Sequence, residues 1–209
     1  MKGMLDKAIT VRSATSEIRK NYASRLKLTE EQWGAVTVAL GALRDTCVAL
    51  FWFEEKGFGN EIEIGRDIFN RYGFLQGLFL QQEAIQELKV VLTGAELSAG
   101  QAWSKIRDIR HMLVAHPIRR DKLNDRRSPL VRQAHIAGWG GSHSLQTVQI
   151  HVWKKDRYQL EEINLDKLLH DYKLEAYEIL DEVLREILKK ARLKMIEDDQ
   201  IPPSASSVC

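Results

Sequence analysis

The stretch WGAVTVALGALRDTCVALFWF, Trp33 to Phe53, decides what kind of fold this chain adopts. At about 20 residues it is long and apolar enough to span a bilayer. Arg44 and Asp45 stand at its centre, however, and each costs roughly 2.5 to 3.5 kcal/mol at the middle of a membrane. The segment therefore reads as a helix of a packed bundle, and no membrane partner is expected. Trp33, Val36, Leu40, Leu43, Cys47 and Leu50 recur at alternating steps of three and four, the stripe of a long buried helix face. Thr29, three residues before Gln32, supplies a capping box at its start, and Gly57 and Gly59 end it.

Outward from that helix the pattern repeats. Asn60 is a candidate cap for a second helix, with a stripe of Gly73, Gly77, Leu80, Ala84, Leu88 and Val91 whose small members let a neighbour approach closely. Thr93-Gly94 closes it, and Ser98 is a candidate cap for a third helix that Pro117 stops. From Leu165 the helical period returns through Leu169, Tyr172, Ala176, Ile179, Val183 and Ile187, ending near Met195. The first 25 residues are compatible with a further, less regular helix. Between these helices the period falls to two. Val148, Ile150 and Val152 alternate with Thr147, Gln149, His151 and Trp153, with YQLEEI after the turn KKDR and LVRQAHIA before it. The expected fold is mainly α: an up-and-down helical bundle over residues 1–196, with a small antiparallel β hairpin or meander inserted at about 129–163. A polar, disordered tail is expected over 197–209.

Composition narrows function mainly by exclusion. The 209 residues, 44% of them hydrophobic, suffice for one soluble domain with a sizeable core. A net charge of +2, from 31 basic and 29 acidic side chains, gives no whole-chain field for nucleic acid or membrane, so such a partner must be met by a local patch. Two cysteines, Cys47 in an apolar run and Cys209 in the tail, favour a reducing compartment. The N-terminal MKGMLDKAITVRSATSEIRK has no apolar core of a secretory signal, and a cytoplasmic location is expected. Neither a Walker nor a dinucleotide glycine loop occurs, nor a Cys-x-x-Cys pair.

The third helix carries the chemistry. In IRDIRHMLVAHP, Ile106 to Pro117, the residues Ile106, Ile109 and Leu113 form an apolar face with Trp103 at its edge. Arg110 and His116 flank it. On a regular helix their six-residue spacing puts them about 9 Å apart along the axis, too far for a simple pair. The bland alternative is an arginine at the core edge paired with an acid, and a histidine favoured by the helix dipole at a C-terminus. Arg107 and Asp108 face away from the stripe and read as surface residues.

The pattern RHMLVAHP, an arginine, five residues and a histidine ending a bundle helix, resembles the Arg-x4-6-His motif of the HEPN-domain superfamily (higher eukaryotes and prokaryotes nucleotide-binding). The basic loop, strands and long last helix that follow resemble its abortive-infection and toxin-like branches. YGFLQGLFLQQEAIQEL, Tyr72 to Leu88, is similar to the helix that packs beside the motif. The likeness spans roughly residues 30–195. It implies a helical bundle that pairs as a homodimer so that two motifs face one cleft, and a metal-independent endoribonuclease of defence or toxin type needing no cofactor. Arg110 matches the motif arginine and His116 the motif histidine. His111 stands where the family often has asparagine or another polar residue, and is assigned an assisting role. A neutralising partner protein is a further implication, although the branch modified on tyrosine has Arg-x4-His-x-Tyr, and Ile118 stands at that tyrosine's place.

Metal-free RNA cleavage needs a base near neutral pKa for the 2′-hydroxyl, an acid for the leaving oxygen and a fixed cation for the phosphorus charge, roles that histidine and arginine fill. The loop PIRRDKLNDRR, residues 117–127, places Arg119, Arg120, Lys122, Arg126 and Arg127 directly after the motif as candidate RNA-backbone contacts. An ordinary solvated loop is the alternative. The rival function is a non-catalytic nucleotide- or RNA-binding or protein-interaction module on the same fold.

The remaining polar residues divide between packing and chemistry. Gln81, Gln82 and Glu83 interrupt an apolar helix and are expected to hydrogen-bond a neighbouring helix, while Tyr72 and Gln76 share a face with Glu83 and are candidates only. His135, His143 and His151 recur every eight residues across the meander, but no carboxylate or thiolate is spaced to complete a metal site, and none is assigned. Trp33, Trp52 and Trp103 are expected in the core. Trp139, read as part of a glycine-rich loop, is the tryptophan expected to be exposed.

Overall fold

The computed structural model describes residues 1–26, 28–56, 64–115, 118–120, 130–140, 147–154 and 157–199. Five α-helices dominate: α1 (Lys2–Leu26), α2 (Glu30–Lys56), α3 (Ile64–Thr93), α4 (Gln101–Arg110) and α5 (Leu165–Asp199). The four long ones close a ring in which α1 packs on α2 and α5, and α3 on α2 and α5; α4 lies against α3 and α5. The protein is a helical bundle. Between α4 and α5 the chain forms β1 (Ile118–Arg120), β2 (Leu130–Gly140), β3 (Thr147–Lys154) and β4 (Arg157–Asn164), adjacent in sequence order and antiparallel throughout. The sheet begins upstream of the expected 129 because β1, at three residues, is too short to display a period. Trp139 belongs to β2, opposite Val148, and not to a loop. His135 stands opposite His151 in the β2–β3 register, and His143 lies outside the described residues.

The helix signals act locally as their chemistry requires. Thr29 N donates to Gln32 Oε1 at 2.9 Å and Gln32 N to Thr29 Oγ1 at 3.1 Å, the reciprocal box that starts α2. Gly94, at φ 75°, donates its N–H to Val90 O at 2.9 Å and ends α3 in the left-handed conformation that glycine adopts without strain. Asn164 Oδ1 caps α5 through Lys167 N at 2.8 Å. Asn60 lies outside the described residues. The helix α5 continues through Asp199, past the expected end near Met195, and the rest of the expected tail lies outside the described residues.

All six stripe residues of α2 are buried, and so are all seven of α5. The stripe expected on α3 holds in part: Ala84 and Leu88 are buried, but Leu80 is 46% exposed, and Phe74, Leu75, Leu78, Ile85 and Leu92, outside that stripe, are buried too. Helices press on α3 from two sides, so its buried arc is wide and no narrow stripe identifies it. Trp33 and Trp103 are core residues, but Trp52 is 46% exposed on the outer face of α2.

Two amides bind the core together. Gln81 is fully buried, donating to Cys47 Sγ of α2 at 3.2 Å and accepting from Tyr172 Oη of α5 at 2.9 Å. Gln82 Nε2 donates to Trp103 O at 3.0 Å, tying α3 to α4. Glu83 reaches the same helix through Arg107. Burial pushes the Cys47 thiol up to about 11 and the Tyr172 phenol well above its usual value. The unfolded chain loses these protons first as pH rises, beginning near 9 for the thiol, so stability should fall from about pH 9 upward. Urea titrations at pH 8 and pH 10.5 should give a lower midpoint at the higher pH, with a smaller difference in Tyr172→Phe.

The cap of α4 is a correction. Ser98 does not cap it; the N-cap is Gly100, without a side-chain bond. The orphan N–H groups of Ala102 and Trp103 donate instead to the Glu175 carboxylate of α5, at 3.0 and 2.8 Å. A Cβ at position 100 would collide with that carboxylate, so the missing side chain is a condition of the contact. Glu175→Ala should cost about 1 to 2 kcal/mol, the upper range for a lost N-cap. Gly100→Ala should reproduce part of that loss in thermal unfolding, with no added effect in the double variant.

Candidate arginine–aromatic site

On α3, Gln76, Phe79, Glu83 and Gln86 follow one another at steps of three and four and form one stripe. On α4, Arg107 and Arg110 face it, with His111 just beyond. Gln76 Oε1 accepts from Arg110 Nε and Nη2, both at 3.1 Å. The Arg110 Cζ lies 4.1 Å from the centre of the Phe79 ring, and Arg107 Cζ lies 5.2 Å from the same ring. The His111 ring meets Phe79 edge-on at 6.0 Å, and Arg110 Nη1 stands 3.5 Å from His111 Nδ1. Arg107 donates to Glu83 at 2.5 Å and to Gln86 at 3.1 Å.

The charge balance of the cluster is uneven. Arg107 has a carboxylate partner. Arg110 has none among the described residues; an amide, an imidazole and an aromatic face hold it. Among the described residues the expected bland arrangement, an arginine paired with an acid, thus describes Arg107 and not Arg110. Arg107 is half-buried and built into the cluster, a correction to its reading as a surface residue, while Asp108 is exposed. A planar cation fixed on two sides, with no carboxylate partner among the described residues, is suited to meet an anion.

Directly after Arg110 the helix widens into a π-helical turn, His111–Ala115. Such turns replace the regular bonding pattern and are frequent at functional sites. The turn also removes the premise of the 9 Å estimate, because His111–Ala115 do not keep the rise of a regular α-helix. His116 lies outside the described residues, as do Lys122, Arg126 and Arg127. The backbone places Arg119 and Arg120 in β1, with Arg119 opposite Arg132, and β2 packs against the π turn. The sheet is therefore seated at the motif end of α4.

The site joins Arg110, His111, Gln76 and Glu83, of which the last two stood only as candidates or packing residues. Phe79 and Gln86 were missed; their signal is the three-four spacing with Gln76 and Glu83. Tyr72 packs at the edge of the core. Among the described residues no three His, Cys, Asp or Glu side chains converge as metal ligands. Two open clefts, of about 550 and 500 Å³, lie where α4 meets the start of α5, and Arg110 lines neither. The fold and site thus define a helical bundle presenting an arginine–aromatic cluster beside a small sheet. Comparison with family models, curated proteins and solved structures gives no match for the chain.

Proposed function

We propose that the protein is a metal-independent endoribonuclease of the HEPN-like kind, with Arg110 as the cation for the scissile phosphate and His116 as the proton-transfer group. His111 assists, and Arg119, Arg120, Lys122, Arg126 and Arg127 meet the RNA backbone. The observation that carries this reading is the charge of Arg110, held by Gln76 and Phe79 with no carboxylate partner among the described residues, within a motif that resembles Arg-x4-6-His. In this proposal two copies of the motif face one cleft of a homodimer. The defence or toxin setting, and a neutralising partner, extend the same resemblance.

Incubation with a pool of single-stranded RNA in chelator should yield fragments ending in 2′,3′-cyclic phosphate, the product of attack by the 2′-hydroxyl. Arg110→Ala and His116→Ala should each lower the rate by about 10² to 10⁴, the usual range for a lost proton-transfer or charge-stabilising group. Mixing the two inactive variants should restore part of the activity if the cleft is shared, and none if each chain carries its own site. RNA binding that Arg110→Ala abolishes, without cleavage of any RNA, would establish the rival binding module instead.

A further inference from the structure

We propose that the outer face of α2 is an antiparallel two-fold docking surface for a second copy of this chain. Gly34, Val38, Gly41, Asp45, Val48 and Trp52 recur on that face at alternating steps of four and three, opposite the buried stripe. Val38 is 73% and Val48 52% exposed, and Trp52 nearly as much, an apolar strip that no described residue covers. A Cβ built at Gly34 or Gly41 meets nothing within 4 Å. Glycine inside a helix weakens it relative to alanine, and the isolated chain has no steric need for either. A close neighbour supplies that need.

The order of the residues selects the neighbour. A two-fold axis at position 43, relating antiparallel helices, sets Gly34 across from the partner subunit's Trp52, Val38 across from the partner subunit's Val48, and Gly41 across from the partner subunit's Asp45. Each large side chain meets a gap, and the two valines meet each other. Parallel pairing would instead set Trp52 and Asp45 against their own copies. Charge agrees: Arg44 Nε and Nη2 both bond Asp45 Oδ1, at 2.9 and 2.7 Å, leaving Oδ2 open to the partner subunit's Arg44 about one turn away. The same central charges disfavour lipid as the occupant, although Glu30–Glu55 is long and apolar enough by composition to cross a membrane.

This surface is separate from the Arg110 cluster. Helix α3 lies between them, meeting α2 through Gly77 and Gln81 and α4 through Phe79, Gln82 and Gln86. The inference therefore stands or falls independently of the ribonuclease reading; if both interfaces form, they close a tetramer where the two axes cross at right angles and a larger assembly where they do not.

Sedimentation across a concentration series should show reversible self-association of the full chain. Val38→Glu should raise the dissociation constant at least about tenfold, since it buries an unpaired charge at the seam. Gly34→Leu and Gly41→Leu should abolish the association while raising the melting temperature of the dilute protein, a pair of opposite effects that misfolding cannot mimic. Under oxidation, Val38→Cys mixed with Val48→Cys should form a cross-linked dimer, and Val38→Cys alone should not. A monomer at every concentration, association unmoved by Val38→Glu, or cross-linking of Val38→Cys with itself would each overturn the proposal. So would binding to phosphatidylcholine vesicles that Val38→Glu abolishes, which would assign the face to lipid.

Discussion

Gln76→Glu is expected to lower RNA affinity and cleavage about hundredfold, close to the loss of Arg110 itself, while leaving the bundle as stable as before. The substitution changes one atom at the position that grips Arg110 Nε and Nη2. A carboxylate there would form a charge-assisted pair with the guanidinium, and two opposite charges about 4 Å apart attract by roughly 4 kcal/mol at the effective dielectric near a protein surface. A phosphate must then compete with an internal anion for the same cation, and each factor of ten in affinity corresponds to about 1.4 kcal/mol. Gln76→Leu provides the contrast. It frees the guanidinium without neutralising it, so turnover should fall further than affinity does. Anisotropy titrations of a short single-stranded RNA at several salt concentrations separate the cases. Gln76→Glu should reduce the slope of log affinity against log salt by about 0.7, the share of one phosphate contact on a single strand. If the Glu variant binds and cleaves like the parent, Arg110 does not touch the phosphate and the proposed function loses its main support.

That prediction depends on a contact that no periodicity could supply. Arg110 stood out in the sequence because a charge bordered an apolar stripe, but its holder comes from α3, 34 residues away, and the choice between an amide and an acid there decides the charge of the site. The same division runs through the fold. The stripes of α2 and α5 were legible because each buries one face against the core, and the capping box at Thr29 was legible because both partners lie within one turn. The start of α4 was not, because Glu175 caps it from 73 residues away and Ser98 offered a plausible local substitute. On α3 the pressure of helices from two sides blurred the period, so the stripe read there runs along one edge of the buried face, meeting it at Ala84 and Leu88 and leaving it at Leu80. The π turn left no trace in the residue pattern. Its apolar residues, Met112 and Leu113, suit an α-helix equally well, and the wider turn is set by backbone bonding alone.

The largest stability effect is expected at Gln81. Gln81→Leu should cost about 3 kcal/mol, because it leaves the fully buried Tyr172 hydroxyl without its acceptor, a desolvation penalty of roughly 1 to 3 kcal/mol, and also fits a branched apolar group where a planar amide lay. Tyr172→Phe alone strands the amide oxygen and should cost about 1 to 2 kcal/mol. The double variant removes donor and acceptor together, so it should be less destabilised than the two losses added, by about 1 to 2 kcal/mol of coupling. Chemical denaturation of the four proteins of this cycle gives that quantity directly. Additive losses would mean that the bond contributes nothing beyond its separate groups. A positive coupling would show why an amide interrupts the apolar run of α3. By bonding the thiol of α2 on one side and the phenol of α5 on the other, Gln81 admits only one rotation of α3. The same rotation turns Gln76 and Phe79 toward α4, so the polar contact inside the core and the arginine cluster at its edge depend on one setting of one helix.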